Sequence, residues 1–487
     1  MRSIRKKFLI GLTLSGIFFA GCKKWDDHNA VTDAALTKTL TQQISEDPAL
    51  SKFSELLVKS GYDKVLASSK TFTVFAPTNT ALASLDAATL NDSTKLNAFI
   101  GNHVATLNYK STAAGTTQRI PMLNGKYQNF LNKTIGEATI VQADKAAANG
   151  ILHVIDKMLP VLSNGWDALQ NNSEIPAAQK AYMLSLFRNV FDATNAVQIG
   201  VDPSTGAPVY QPGTDSIQTN LFWRNIYDLR NEKEEYTLFV LTNAAWNSEL
   251  EKYRPYTQTV TNDADSTTAF ASWAVVKDLA IQGVYDGSGN TDTLLSKFSV
   301  KVPFEKASIV KTIKTSNGVI HIMDKVDVLP QHKIQPIIIQ AENYRTTSID
   351  RRSNTYFRDR FNPLTGANFR DVNVYNHGTA LFNINYRVNN VFGGVKYKAY
   401  WVALNDFLST SFSQKLALGT PTANTFTLQN ANGYTVVTPN EYSEVLLGET
   451  TLPTYHAVLD VFLTAANSTA AASNPIVCDY IRLEPQF

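Results

Sequence analysis

The chain has 487 residues, 44% of them hydrophobic and 10% aromatic, with 44 basic and 42 acidic side chains. That apolar content supplies several packed cores and excludes a disordered stalk. A formal net charge of only +2 excludes the broad basic surface that nucleic acid requires of a partner.

Arg2, Arg5, Lys6 and Lys7 precede an apolar run from Phe8 to Phe19, and Ala20-Gly21-Cys22 follows. A basic head before an apolar run too short to span a bilayer reads as a secretory signal over residues 1–21. Removing it takes away those four cations and no acid, so the net charge goes from +2 to −2. Small residues directly before a Cys resemble a bacterial lipobox, with Phe19 standing where Leu is usual. The resemblance implies acylation of Cys22 and a lipid anchor in the outer membrane, several acyl chains holding more firmly than one. Lys23-Lys24-Trp25-Asp26-Asp27 resembles the surface-export signal of some Gram-negative lipoproteins; a charged, solvated linker is the other reading. Residues 22–36 read as a tether. The only other cysteine is Cys478. With Cys22 acylated it has no intramolecular partner, so each domain relies on its own core.

Next come two copies of one pattern, over residues 37–160 and 165–330. The first opens with Phe53, Leu56, Leu57, Tyr62, Val65 and Leu66 at helical spacing. Thr73 to Ala76 then reads as a strand stopped by Pro77, with Thr78 or Asn79 capping a helix. At Asn149-Gly150 a tight turn leads into Ile151, Leu152, Val154 and Ile155, a strand buried on both faces. The second copy opens with Tyr182, Leu184, Phe187, Val190 and Phe191, again read as helical. Asp202 to Gly213 is an excursion the first copy lacks, read from its Pro and Gly as a surface loop or hairpin. The blocks then return: Phe72–Leu82 as Tyr236–Trp246, and Asn149–Met158 as Asn317–Val326. Two block pairs at nearly one offset mean one domain type used twice. His153 and His321 each stand alone, with no second ligand at metal spacing nearby. They read as histidines tied to backbone inside a packed strand, and Asp156 and Asp324 as strand-end residues.

The paired blocks resemble the two hallmark regions of the fasciclin domain family, over about residues 37 to 330. The resemblance implies a compact α+β wedge of two small sheets flanked by helices. It also implies adhesion or extracellular binding rather than chemistry. Between the blocks the family carries a Tyr-His pair. Asn102-His103 keeps the His, and Lys277-Asp278 keeps neither. An Asp-Ile pair linked to receptor binding in animal members is absent: Asp144 precedes Lys145, and Thr312 precedes Ile313. That receptor role is not carried over.

Residues 331–336 form a short linker. Strand-like runs dominate residues 334–487: Ile337–Ile339, Ala380–Ile384, Tyr397–Leu404, Val445–Leu447, Ala457–Leu463 and Ile476–Leu483. Many strands with turn signals between them predict an all-β sandwich. Gln340 to Tyr344 and Cys478 to Leu483 resemble the opening and closing strands of the jelly-roll carbohydrate-binding modules, particularly family 6. The expected architecture is therefore two α+β fasciclin-like domains followed by a jelly roll. The resemblance implies a structural Ca²⁺ held in part by Glu342 and Asp479, and an extracellular glycan as a partner. Tyr434, Tyr356, Trp401 and Tyr442 are candidates for stacking on sugar. Trp401 alternates with Tyr397 and Ala399 in the manner of a core residue. Arg351, Arg352, Arg358 and Arg360 suit either an acidic glycan or a solvated face shared with Asp350 and Asp359.

No nucleophile elbow, Walker loop, dinucleotide fingerprint or zinc-spaced cluster is present, so an enzyme is not expected. The reading is a surface-anchored binding or adhesion lipoprotein. Two alternatives stay open: a glycan-capture accessory of an outer-membrane polysaccharide uptake system, and a structural or assembly lipoprotein that binds a partner protein.

Overall fold

The computed structural model describes residues 37–111, 115–289, 292–430 and 432–487. The signal, Cys22 and the tether lie outside the described residues. The chain forms two compact units. Among the described residues, one comprises those up to Ala168 with Leu229–Glu235 and Lys314–Gly318; the other comprises those of Leu169–Asp228, Tyr236–Ile313 and Val319–Phe487.

In the first copy the two repeated blocks become neighbouring strands. Phe72–Pro77 and Gly150–Ile155 run parallel, Phe72 against Gly150 and Pro77 against Ile155. Both are buried throughout, as their unbroken apolar runs require. A Cβ at Gly150 would collide with the Phe72 carbonyl, so this approach needs glycine. The sheet is completed by Val104–Thr106 on one side. Ala138–Ala147, Thr134–Ile135, Tyr127–Leu131 and Gln118–Pro121 follow in order on the other. Alternation along Phe72–Pro77 makes two cores. Phe72, Val74 and Ala76 pack with Leu40, Ile44, Phe53 and Leu57 of the helices Leu40–Glu46 and Ser51–Ser60. Phe75 packs with Phe130, Ile135 and Ile155 on the opposite face.

The second copy repeats the arrangement, with strands in the order Ala280–Gln282, Tyr236–Leu241, Gly318–Met323 and Ile309–Thr315. Thr242 caps the helix Asn243–Thr257, its side chain accepting from the Ala245 amide. In the first copy Thr78 accepts from the Ala81 amide ahead of the one-turn helix Ala81–Ser84. One helical expectation fails here. The helix Ala177–Ser185 ends before Phe187, and Phe187–Phe191 is a strand pairing with Ser216–Asn220. Phe187, Val190 and Phe191 match a helical face over only a few residues, too few to fix the period. The excursion is a hairpin, Gln198–Val201 against Pro208–Tyr210, at the end of that ribbon.

The C-terminal region is an all-β sandwich of the jelly-roll class. One sheet has the order Ile337–Gln340, Tyr480–Gln486, Val395–Trp401, Val445–Leu452; the other has Thr346–Thr347, Asn383–Val391, His456–Ala465, Phe412–Leu418, Thr435–Val437. A third joins Thr355–Asn362, Ala367–Val374 and Ile476–Cys478. The opening and closing strands are antiparallel partners, Ile337 against Leu483 and Gln340 against Tyr480. The run Ile476–Leu483, read from sequence as one strand, is two strands in two sheets that meet at Asp479. Trp401, Tyr397, Tyr386 and Phe382 are fully buried in the core between the sheets. Trp401 is therefore not a sugar platform: its burial leaves no ring face for a ligand.

Candidate functional site

The repeated blocks build the same clamp twice. In the first copy the Thr73 hydroxyl donates to the Leu107 carbonyl at 2.8 Å and accepts from the Tyr109 amide at 2.9 Å. His153 Nε2 lies 2.9 Å from the carbonyl of the same Tyr109. In the second copy Thr237 bonds to the Gly283 carbonyl and the Tyr285 amide, and His321 Nε2 lies 2.8 Å from the Tyr285 carbonyl. A carbonyl only accepts, so each Nε2 carries the proton and donates. Each Nδ1 then accepts, from the Asp144 amide at 3.3 Å and from the Thr312 hydroxyl at 2.8 Å. The rings stack on Phe75 and Phe239, equivalent residues of the first block. Burial, the leading cause, pulls both imidazoles below their ordinary pKa and keeps them neutral. Both nitrogens of each ring are thus spent inside the fold, Nε2 on the Tyr109 or Tyr285 loop and Nδ1 on the neighbouring strand. Tyr109 and Tyr285 contribute backbone alone, which sequence patterns do not mark.

The position of the family's paired residues differs between the copies, and strand register matches Asn102-His103 with Asp278-Leu279, one residue beyond the Lys277-Asp278 expected from sequence. His103 is buried, its Nδ1 2.8 Å from the Phe99 carbonyl and its Nε2 accepting from the Leu159 amide at 2.9 Å. Burial lowers its pKa to about 4. Asn102 beside it donates to the Leu159 and Pro160 carbonyls. In the second copy Asp278 pairs with the Lys333 ammonium at 2.8 Å, both fully buried, and accepts from the Ser296 hydroxyl.

In the sandwich the sheet change at Asp479 sets its backbone between Ala341 and Val402, with 2.8 Å bonds to each. Its side chain is buried, and Glu342 Oε2 beside Ala341 is buried without a hydrogen-bond partner among the described residues. Burial, with the charges of Asp371 and Glu342 adding, raises the Asp479 carboxyl to about 7. Asp371 itself is held by Arg358, which also reaches Asp406 and the Leu404 carbonyl. Mutual repulsion and an orphaned carboxylate oxygen suit a cation at Glu342 and Asp479. Ca²⁺ needs about six to eight oxygens. Among the described residues no group of three His, Cys, Asp or Glu side chains is close enough to hold a metal by itself. Backbone and water oxygens would supply the rest.

The arginine cluster is largely spent internally: Arg358 and Arg360 bind Asp406, and Arg351 binds the His377 carbonyl and Thr379. Tyr356 is 49% exposed on the strand Thr355–Asn362. Tyr434 is half-buried, its hydroxyl donates to the Ala465 carbonyl, and the Lys415 ammonium sits 5.4 Å from its ring centre. Tyr442 is also half-buried. Trp401, Tyr356 and Tyr434 belong to or adjoin three different sheets, so they form no common stacking platform.

The fasciclin domain model matches residues 48–161 and 221–328, which hold both clamps. Protein sll1483 of Synechocystis sp. is 30% identical over 141 residues, covering 27% of this chain and 76% of that protein. The chain belongs to the fasciclin domain family. The chain is also similar to a solved FAS1 domain pair from the insect cell adhesion molecule Fasciclin I. That likeness has 16% identity and a TM-score of 0.24, and covers 58% of this chain and 98% of that one. A CBM36-1 domain of a multidomain xylanase from the hindgut metagenome of Trinervitermes trinervoides is similar at 14% identity and a TM-score of 0.21. It covers 31% of this chain and 98% of that domain.

Proposed function

We propose that this chain is a surface-anchored adhesion lipoprotein, held in the outer membrane by lipid on Cys22, whose fasciclin domains bind a partner protein. The duplicated clamp carries this reading. Both fasciclin domains spend their hallmark imidazole on rigidity, so the frame positions surfaces rather than reacting groups. The ribbon from Phe187 to Asn220 is where the second domain departs from the first, and Phe191, Ile199, Val201 and Ile217 are exposed on it. Protease treatment of intact cells should release fragments of the chain, and mass spectrometry should find an acylated Cys22. Cells carrying the chain should aggregate or attach more than cells lacking it, and shortening the ribbon should reduce this. A soluble mature protein, or one shielded from external protease, would overturn the anchored reading and favour a periplasm-facing assembly role.

A second reading, a glycan-capture accessory of an outer-membrane uptake system, is favoured by Glu342, Asp479 and exposed Tyr356. Ca²⁺-dependent retention of the full chain on a glycan array supports it. Binding that survives Glu342→Gln and Tyr356→Ala would count against it.

A further inference from the structure

Most of the second fasciclin domain lies in one compact unit with the sandwich. Ala274, on the helix Ala264–Val276, and Ile334 belong to the sandwich's buried cluster. Phe270 of that helix packs on Tyr455, ring centres 4.5 Å apart. The Gly393 amide donates to the Tyr256 carbonyl, and the Tyr455 amide to the Gln258 carbonyl. Beside these contacts lies a cleft of about 650 Å³, within the range of small-ligand sites.

Its lining has a definite chemistry. Trp273 and Phe270 of the helix and Phe392 and Tyr455 of the sandwich supply aromatic surface. Exposed Asn389 stands at the rim. The charged residues of the lining are two lysines, with no carboxylate. Lys333 is committed to Asp278 and to the Ala274 carbonyl. Lys277 is not: its ammonium lies 5.0 Å from the Phe298 ring centre, and no hydrogen bond joins it to another described residue. Burial lowers its pKa, the nearby Asp278 carboxylate opposes this, and the Lys333 charge adds to it. By strand register the matching place in the first domain is the buried Gly101, which carries no side chain. The cleft-facing cation is therefore a departure of the second domain alone.

We propose that this cleft binds a carboxylate-bearing saccharide of one or two units, its carboxylate on Lys277, a sugar face on Trp273, and a hydroxyl on Asn389. An aromatic ring offers a sugar face dispersion contact, and a desolvated ammonium favours an anion. The site is separate from the Glu342–Asp479 corner and stands whether or not that corner holds Ca²⁺.

Calorimetric titration of the full chain in detergent tests this with galacturonate and digalacturonate as probes. Galactose and octanoate are the comparison arms. The uronates should bind and galactose should bind at least tenfold more weakly. Lys277→Met should weaken uronate binding by about tenfold or more, the scale of one hydrogen bond to a charged group. Lys277→Arg should restore part of it, and Glu342→Gln should leave it unchanged. Trp273→Phe, which keeps a ring, should weaken binding less than Trp273→Ala, with melting curves checked for each. Absence of uronate binding at millimolar concentration, or equal binding by Lys277→Met, overturns the site. Binding of octanoate alone overturns the saccharide assignment.

Discussion

Asp278 takes, in the second fasciclin domain, the buried place that Asn102 holds in the first, two residues ahead of the equivalent strand positions Val104 and Ala280. The neutral Asn102 amide donates to the Leu159 and Pro160 carbonyls. The carboxylate instead faces a fully buried ammonium, Lys333. One fold therefore meets the same internal position with a neutral hydrogen bond in one copy and an ion pair in the other.

Removing one partner of the Asp278–Lys333 pair leaves the other charge buried and uncompensated. Asp278→Leu or Lys333→Met should each lower unfolding free energy by about 3–5 kcal/mol. The double change Asp278→Leu with Lys333→Met should cost less than the two single changes summed. Urea unfolding of the four proteins checks this. Additive losses would mean that the pair is not coupled.

Acid should weaken the first fasciclin domain through His103. Its folded pKa, about 4, lies below the ordinary 6.5. A lowered base contributes stability that is complete above about pH 6.5 and lost as pH falls through about 4. A shift of that size corresponds to roughly 3 kcal/mol at most. His153 and His321, both lowered, act in the same direction. Denaturant midpoints measured from pH 7 to pH 4 should fall, and His103→Gln should flatten the slope while lowering stability at pH 7.

The clamp should be worth similar amounts in both domains. His153→Ala and His321→Ala each strand a buried carbonyl, at about 1–3 kcal/mol. Thr73→Val and Thr237→Val remove the other half of each clamp. Hydrogen exchange should then rise at Tyr109 and Tyr285, whose amides those hydroxyls accept. Unchanged exchange at both tyrosines would argue against the clamp.

Asp479 gives the sandwich an opposite pH response. Its carboxyl is raised from 3.8 to about 7, so the folded form retains a proton that the unfolded chain releases. That stabilisation is complete below about pH 3.8 and disappears as pH rises through about 7. With chelator present, the melting temperature of the sandwich should fall between pH 5 and pH 8. Added Ca²⁺ should raise it more at pH 8 than at pH 5, by an amount growing with the logarithm of free Ca²⁺. Asp479→Asn should remove both effects. A melt indifferent to Ca²⁺ at pH 8 would reject the cation.

Much of this was legible in the sequence because it was written twice. The blocks around Phe75 and His153 recur around Phe239 and His321, and recurrence separates scaffold from accident. The asparagines before Gly150 and Gly318 recur with the same role. Asn149 holds the Leu40 amide and the Leu66 carbonyl; Asn317 holds the Gly165 amide and the Leu229 carbonyl. Tyr109 and Tyr285 were illegible because they act through backbone, in loops of unequal length after Thr73 and Thr237. Phe187–Phe191 misled because Phe187, Val190 and Phe191, with polar residues between them, suit a short strand as well as one turn of helix. The Ile476–Leu483 run hid its change of sheet at Asp479 because a corner between two buried strands does not interrupt an apolar pattern. The Lys277 cleft needed the third dimension, since its walls come from a fasciclin helix and from sandwich strands far along the chain.

The parallel pairing of Phe72 with Gly150 has a consequence for the order of events during synthesis. A chain emerging amino end first makes the strand Phe72–Pro77 long before its central neighbour exists. Closing so long a loop is slow and entropically costly. The early helices wait as well, because the surface that Leu40 and Phe53 cover is incomplete without Leu152 and Val154. Asn149, among the last residues of its domain to appear, ties down the amide of Leu40, among the first. The first fasciclin domain is thus closed from its end, and stays threadable until that end arrives.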